Sequence, residues 1–329
     1  MPDWSKRKRL EAAIAGEKVD RLPIALWRHW PGDDQDAEAL AAAHVKWQSD
    51  FEWDLVKVSP SSSYCLDDWG VETRWSGHVE GTRDYTRRAI KEPQDWARLK
   101  TLDPSQGMLG TQIRAIRLLR EALGAETPLL ATIFAPLAQA RNLAGDATML
   151  SQMRSHTDQF LTGLRTILDS TLRFVDAARD AGIDGIFYAV QHARYSIMSQ
   201  VEYKSFGEPF DERILAEASD LPLNMVHLHG ADSVIFDMVA DYDAPLLNWH
   251  DRDCGVSLKT GLEQFSGAGS GGVSRDTMHL GSPADVLDEA ADAVKQTSGR
   301  RLMLGTGCVV MTNTPLRNIR ALRDFAEKS

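Results

Sequence analysis

Short apolar, β-prone runs alternate with longer segments of helical period along this chain of 329 residues. Eight runs stand out: LPIALW (22–27), DLVKVS (54–59), PLLATIF (128–134), DGIFYAV (184–190), LPLNMVHLH (221–229), APLLNWH (244–250), DTMHLG (276–281) and RLMLGT (301–306). Helical patterns lie between most of them. DAEALAAAHVKWQ is one, and TQIRAIRLLREALG is another, ending on Gly124, a natural C-cap. SPADVLDEAADAVKQTSG starts on a serine cap and ends in glycine. Strands alternating with helices predict βα units around a parallel sheet. Eight repeats predict a closed TIM-type (β/α)8 barrel in preference to an open doubly wound sheet. No G-x-G-x-x-G follows the first run, which argues against a dinucleotide fold.

Two segments exceed a minimal barrel. Residues 60–127 form an insertion after the second strand. Within it, YCLDDWGVETRWSGHVEGTRDYTRRAI alternates around Gly70, Gly77 and Gly81, predicting a β-hairpin lid. Residues 147–181 read as a long helix or helix pair, and GAGSGGVSR (267–275) as the most flexible loop. There is no internal repeat. The expectation is an α/β fold with a single barrel domain spanning 1–329.

Composition narrows the function. Apolar residues make up 43% and charged residues 26%, the mix of a soluble globular protein. The formal charge of −10 argues against general nucleic-acid binding and against anionic membrane surfaces. The basic start SKRKR runs straight into a helical pattern and reads as a solvated face. No apolar run approaches the ~20 residues that span a bilayer. The N-terminus lacks an export signal, so Cys65, Cys254 and Cys308 read as reduced thiols in a cytoplasmic protein.

In a parallel barrel, functional groups collect after the C-terminal ends of the strands. The first run ends in Arg28, His29 and Trp30. The second leads to Tyr64, Asp67 and Asp68, and the fourth to Gln191, His192, Arg194 and Tyr195. The fifth ends in His227 and His229, the sixth in His250, Asp251 and Cys254, and the eighth leads to Cys308. Five of the nine histidines fall at these ends, more than capping or core packing explains. Trp27, Trp30, Trp69 and Trp249 suggest an aromatic-walled pocket, with ordinary core packing as the alternative.

His227 and His229 are two residues apart, a strand's repeat, so both rings face one side. With Cys308 they would supply the three nitrogen and sulfur ligands of a catalytic zinc whose fourth position stays open. The plain alternative is one core histidine, one exposed one, and a cysteine in a tight turn. Cys254 and Cys65 read as incidental. The Asp67–Asp68 pair could ligate a cation or equally cap an element.

The chain resembles the uroporphyrinogen decarboxylase superfamily. The resemblance is carried by LPIALWRHW, FAPLAQARNLAGD, VEYKSFGEPFDERIL, HLHGADS and, most specifically, GTGCVVMTNTPLRNIRAL. It implies a (β/α)8 barrel, often homodimeric, and a choice between two branches. The decarboxylase branch grips propionate groups with MRQAGRY and uses a histidine in a GHG turn. Here Arg28 matches the first arginine but the second is absent, the turn is Gly305-Thr306-Gly307, and the tyrosine of APWTLMTY falls near Arg141 or Asn142. The methyltransferase branch moves a methyl group from a corrinoid to a thiol at zinc, through H-x-C and a later cysteine. His227 fits its histidine and Cys308 its later cysteine, while His229 replaces the first cysteine. Losing one thiolate leaves the zinc a stronger Lewis acid and its bound thiol easier to ionise but a poorer nucleophile.

Two activities follow as expectations. One is a zinc-dependent methyltransferase acting on a small methylated or methoxylated substrate or a methyl-corrinoid, with a corrinoid protein as partner. The other is a decarboxylase or lyase of a small acid, metal-assisted or metal-free. Arg28, His29, Asp68, Gln191, His192 and His250 are the expected catalytic residues. Trp30, Tyr64, Arg194 and Tyr195 are expected to bind substrate, and His227, His229 and Cys308 to hold Zn²⁺. A third reading, a non-catalytic barrel that binds a partner, would show no small-molecule binding.

Overall fold

A computed structural model describes residues 4–329. In chain order its strands are β1 (Val56–Lys57), β2 (Glu72–Arg74), β3 (Asp84–Arg87), β4 (Leu129–Phe134), β5 (Gly185–Val190), β6 (Met225–Leu228), β7 (Leu246–Trp249), β8 (Ala268–Val273) and β9 (Leu302–Thr306). Seven make one parallel sheet in the order β1-β4-β5-β6-β7-β8-β9. Helices cover its outside, so residues on both faces of β4 and β5 are buried and the runs read as continuously apolar.

The first apolar run is not a full strand. Pro23 has no N–H to give to a ladder. Residues 22–27 therefore make a single bridge, Ile24 to Leu304 of β9. On the other side, the Asp54 amide donates to the Ile24 carbonyl at 3.0 Å. The segment thus links the two ends of the curled sheet, an arrangement consistent with a TIM-type barrel. Asp54 anchors it: its buried carboxylate accepts from Arg9, Arg21 and the Ile24 amide. Arg9 is itself buried in this ion network, which corrects the reading of SKRKR as wholly solvated.

Two readings near the C-terminus exchange places. GAGSGGVSR, read as a flexible loop, contains strand β8, and DTMHLG, read as a strand, lies in a helix, Arg275–Leu280. Packing explains the glycines. A Cβ on Gly271 would stand 2.4 Å from the Asp251 carboxylate, and one on Gly269 3.2 Å from the Trp249 ring. The bulk of β7 and its following turn fills the space that side chains on β8 would occupy. Ser274 then caps the helix, accepting from the Asp276 amide.

Within the insertion, β2 and β3 pair antiparallel as a hairpin. Residues 147–181 are a helix pair, Asp146–Ser155 and Thr157–Asp180.

Candidate metal centre and cavity

The pair of histidines depends on β6 staying regular to its end. It does: the His229 amide donates to the Val190 carbonyl at 2.8 Å, one residue past the last assigned strand position. Gly230 then turns the chain at φ 154°, where a Cβ would lie 2.9 Å from the Arg194 side chain. Both imidazoles remain on the inner face. Cys308 reaches them because Gly307 lets its turn lie against the end of β7. A Cβ there would be 2.6 Å from both the His250 Cα and the Trp249 carbonyl oxygen.

His227, His229, His250 and Cys308 come together, with one donor atom from each inside a 4.8 Å span. His227 Nε2 lies 3.4 Å from His229 Nδ1. The Cys308 Sγ lies 3.8 Å from His227 Nε2 and 3.6 Å from His229 Nδ1. A tetrahedral zinc with ordinary bond lengths needs N–N edges of about 3.3 Å and N–S edges of about 3.6 Å. The three sequence-selected residues fit those edges, and His250 adds a fourth donor where an open position was expected.

The His227 tautomer is set by its neighbour. Asn248, its register partner on β7, donates through Nδ2 to the carbonyls of Ser270 and Thr306. Its Oδ1 is therefore the atom facing His227, and accepts from Nδ1–H at 2.6 Å. The Nε2 lone pair is left to face the cluster. Electrostatics favour a thiolate here. Burial pushes the Cys308 thiol up, but His227, His229 and His250 outweigh it and hold the group well below its ordinary range. Burial likewise pulls His250 down, and Asp253 with Cys308 overcomes it, raising the imidazole to about 9.

This cluster opens on a cavity of about 440 Å³. His29, Gln191, His192, Arg194, His227, His229 and Cys308 line it, as do Trp27, Phe134 and Phe187. His192 is buried, and neither ring nitrogen has a hydrogen-bond partner among the described residues. Burial, with Arg141 nearby, pulls it down to about 3, so it is neutral. Burial does the same to His29, beside Lys57, lowering it to about 4.

Five expected site residues lie elsewhere. The Arg28 guanidinium stacks on Trp30, 4.6 Å from its ring centroid. Trp30 in turn packs on His44 and Trp47. Tyr64 is buried, donating to the Thr132 carbonyl at 2.6 Å. Asp68 is exposed and caps the helix Gly107–Leu123, accepting from the amides of Met108 and Leu109. Tyr195 is 51% exposed and outside the cavity lining. Each stands after a strand in sequence, but the loop had already turned away from the mouth or found a local partner.

Sequence reasoning missed Lys57, Arg88, Arg141 and Asn142, all on the cavity wall, and Asn248 behind His227. Lone polar residues inside the apolar runs DLVKVS and APLLNWH were the available signal for Lys57 and Asn248.

Known proteins place this architecture. The chain is 21% identical to the methylcobamide:CoM methyltransferase MtbA of Methanosarcina acetivorans, over 99% of both chains. It is 22% identical to the methylcobamide:CoM methyltransferase MtaA of Methanosarcina barkeri, over 98% of this chain and 97% of that one. A uroporphyrinogen decarboxylase of Rhodococcus opacus is 29% identical over 155 residues, 45% of this chain and 42% of that one. Among solved structures, a methyltransferase from Methanosarcina mazei superposes with a TM-score of 0.87 at 20% identity, covering 99% of each chain. The sequence pattern of the uroporphyrinogen decarboxylase (URO-D) family matches residues 5–329, and the chain belongs to that family.

Proposed function

We propose that this protein is a zinc-dependent methyltransferase that passes a methyl group from a methyl-corrinoid, or another small methylated donor, to a thiol. The observation that carries the reading is the convergence of His227, His229 and Cys308 at tetrahedral spacing, with His250 beside them. Whole-length likeness to two methylcobamide:CoM methyltransferases supports it. In this reading residues 22–27 close an eight-membered barrel and the β2–β3 hairpin is its lid, contributing Asp84 and Tyr85 to the cavity wall.

A zinc held by these side chains would acidify a thiol and keep it reactive at neutral pH. The chain's own residues do the rest. Asn248 holds His227 in the tautomer that presents Nε2. Trp27 and Phe187 wall the cavity and limit water. His192, neutral and part of the cavity lining, has neither ring nitrogen hydrogen-bonded among the described residues. In the transfer, sulfur forms the new bond to carbon and the thiol proton leaves to solvent. The cobalt–carbon pair stays with cobalt, which falls from Co(III) to Co(I).

Purified protein should carry about one zinc per chain, and methylcobalamin with a thiol should yield the methyl thioether and cob(I)alamin in equal amounts, lost on chelation. Protein without zinc, and with chelator-insensitive turnover, would end this reading. It would favour decarboxylation of a small acid, for which Arg194 and His192 share the cavity as carboxylate anchor and proton carrier.

A further inference from the structure

Lys57 lies on β1, 5% exposed, and lines the cavity. Its Nζ donates to Ser59 Oγ at 3.2 Å and stands 4.7 Å from the centre of the Phe187 ring. Among the described residues it meets no carboxylate and no backbone carbonyl. Its ionisable neighbours are the Cys308 sulfur and two buried, neutral histidines, His29 and His44. A structural lysine usually ties down a carboxylate or a carbonyl, and this one does neither.

Burial outweighs the attraction of the Cys308 sulfur and lowers the amine to about 7, against about 10.4 for a lysine in water. Roughly half the chains therefore carry it uncharged near neutral pH, where an exposed lysine is almost wholly an ammonium. The one charge that favours the ammonium lies on the Cys308 sulfur, and the metal of the proposed centre would compensate it. The contacts suit the uncharged form, which has two N–H bonds and one lone pair. Ser59 takes one N–H and the Phe187 face the other, so the lone pair is left for the cavity.

We propose that Lys57 is an imine-forming nucleophile, and that the cavity takes a small aldehyde or ketone whose carbonyl carbon meets Nζ while its carbon skeleton lies against Phe187 and Trp27. Desolvated lysines are the amines that attack carbonyl groups at neutral pH. The nitrogen lone pair forms the C–N bond and the carbonyl π pair moves to oxygen. Amine and carbonyl then give imine and one water, whose oxygen comes from the carbonyl and whose two hydrogens come from the amine. No oxidant or reductant is consumed. The proposal goes beyond methyl transfer and uses neither a metal nor a corrinoid.

The test is reductive trapping on the full chain as purified. Propanal is added with sodium cyanoborohydride, which fixes an imine as a secondary amine, and labelling is followed peptide by peptide by mass spectrometry. At about pH 7 the Lys57 peptide should gain its propyl group at least about tenfold faster than the peptides of exposed Lys18 and Lys295. The ratio should shrink as pH rises to about 9, where exposed lysines begin to lose their protons. It should vanish in guanidinium chloride, which removes the cavity. Labelling of Lys57 no faster than of the exposed lysines overturns the proposal. An advantage that persists in guanidinium chloride also overturns it, because the reactivity would then owe nothing to the fold. All of these measurements use the wild-type chain, so no variant has to fold. Zinc content of the same sample decides the methyl-transfer reading separately. A zinc-free protein that labels at Lys57 keeps this assignment and loses that one.

Discussion

Phe187 and Tyr188 are neighbours on β5, and they point to two different buried polar clusters. Inward, Phe187 stacks on His227 at the His/Cys centre. Outward, Tyr188 donates to Asp211 at 2.5 Å, and Tyr242 at 2.9 Å and Tyr203 donate to the same carboxylate. The Asp211 cluster is fully buried, whereas the inner one opens on the cavity through a half-buried His229. The Asp211 cluster is closed: one acceptor group, three phenol donors, no ionic partner required. In the inner cluster, the donor atoms of His227, His229 and Cys308 stand 3.4–3.8 Å apart around one point, with His250 beside them and the Asp253 carboxylate 3.6 Å from His250. Buried polar groups that satisfy one another hold a fold together, whereas groups facing each other with lone pairs need a cation. The same contrast separates two histidines. In His44, Nδ1–H donates to the Leu40 carbonyl and Nε2 accepts from the Ser59 amide. In His192, a residue of the cavity lining, neither nitrogen has a hydrogen-bond partner among the described residues.

The largest expected effect tests the open cluster. Cys308→Ser should lose zinc almost completely, beyond the roughly 10–100-fold that loss of an outer partner costs. Cys254→Ser should keep it, because Cys254 lies outside the cluster. Chelator competition measures both, and equal retention would make the centre another closed structural cluster. The converse variant is Asp211→Ala. Three buried hydroxyls lose their acceptor, so stability in urea should fall by about 3–5 kcal/mol while zinc stoichiometry holds. Zinc loss in parallel with stability would show that the two clusters are not independent.

A smaller effect sharpens the boundary between them. Asn248 is satisfied on every side, yet its role is to aim His227. Asn248→Leu should weaken zinc binding by about 10–100-fold. An unchanged affinity would mean that packing on Phe187 alone orients the ring.

Much of this was legible in the sequence, for reasons that also explain the failures. The strand-end rule found His227, His229 and Cys308 because alternation and a glycine turn fix where those side chains point. It could not distinguish residues at the mouth from residues just past it. Tyr64 and Asp68 come after β1 as His192 comes after β5, but only contacts made across the fold send Tyr64 to Thr132 and Asp68 to a helix start. The same limit hid β8. Its glycines read as a loop because the volume they leave is filled by Trp249 and Asp251, residues of another element. Lys57 was passed over because one polar residue in a short strand carries no periodic signal.

The smallest effect separates the two kinds of histidine by pH. Burial lowers His29 and His44 to about 4 and His192 to about 3, against about 6.5 when unfolded. Between those values each of these histidines binds more protons in the unfolded chain than in the folded one, so its contribution to stability drops as the medium is acidified, while Asp67, Asp211 and Asp251, raised by burial to about 6, contribute in the opposite sense. The contribution is fully present above pH 6.5 and is lost as pH falls through 4 and then 3, at most roughly 3 kcal/mol each for His29 and His44 and roughly 5 kcal/mol for His192. Denaturation series from pH 7.5 to 4, compared between the wild type and histidine variants, should isolate this slope. His44→Asn should cost about 2 kcal/mol already at pH 7, since two hydrogen bonds go. His192→Asn should cost under about 1 kcal/mol there, because no hydrogen bond of the fold is lost, and should flatten the acid slope by up to one proton. If His192→Asn proves as costly at pH 7 as His44→Asn, then His192 is a structural histidine with a partner in solution, and the cavity loses its free imidazole.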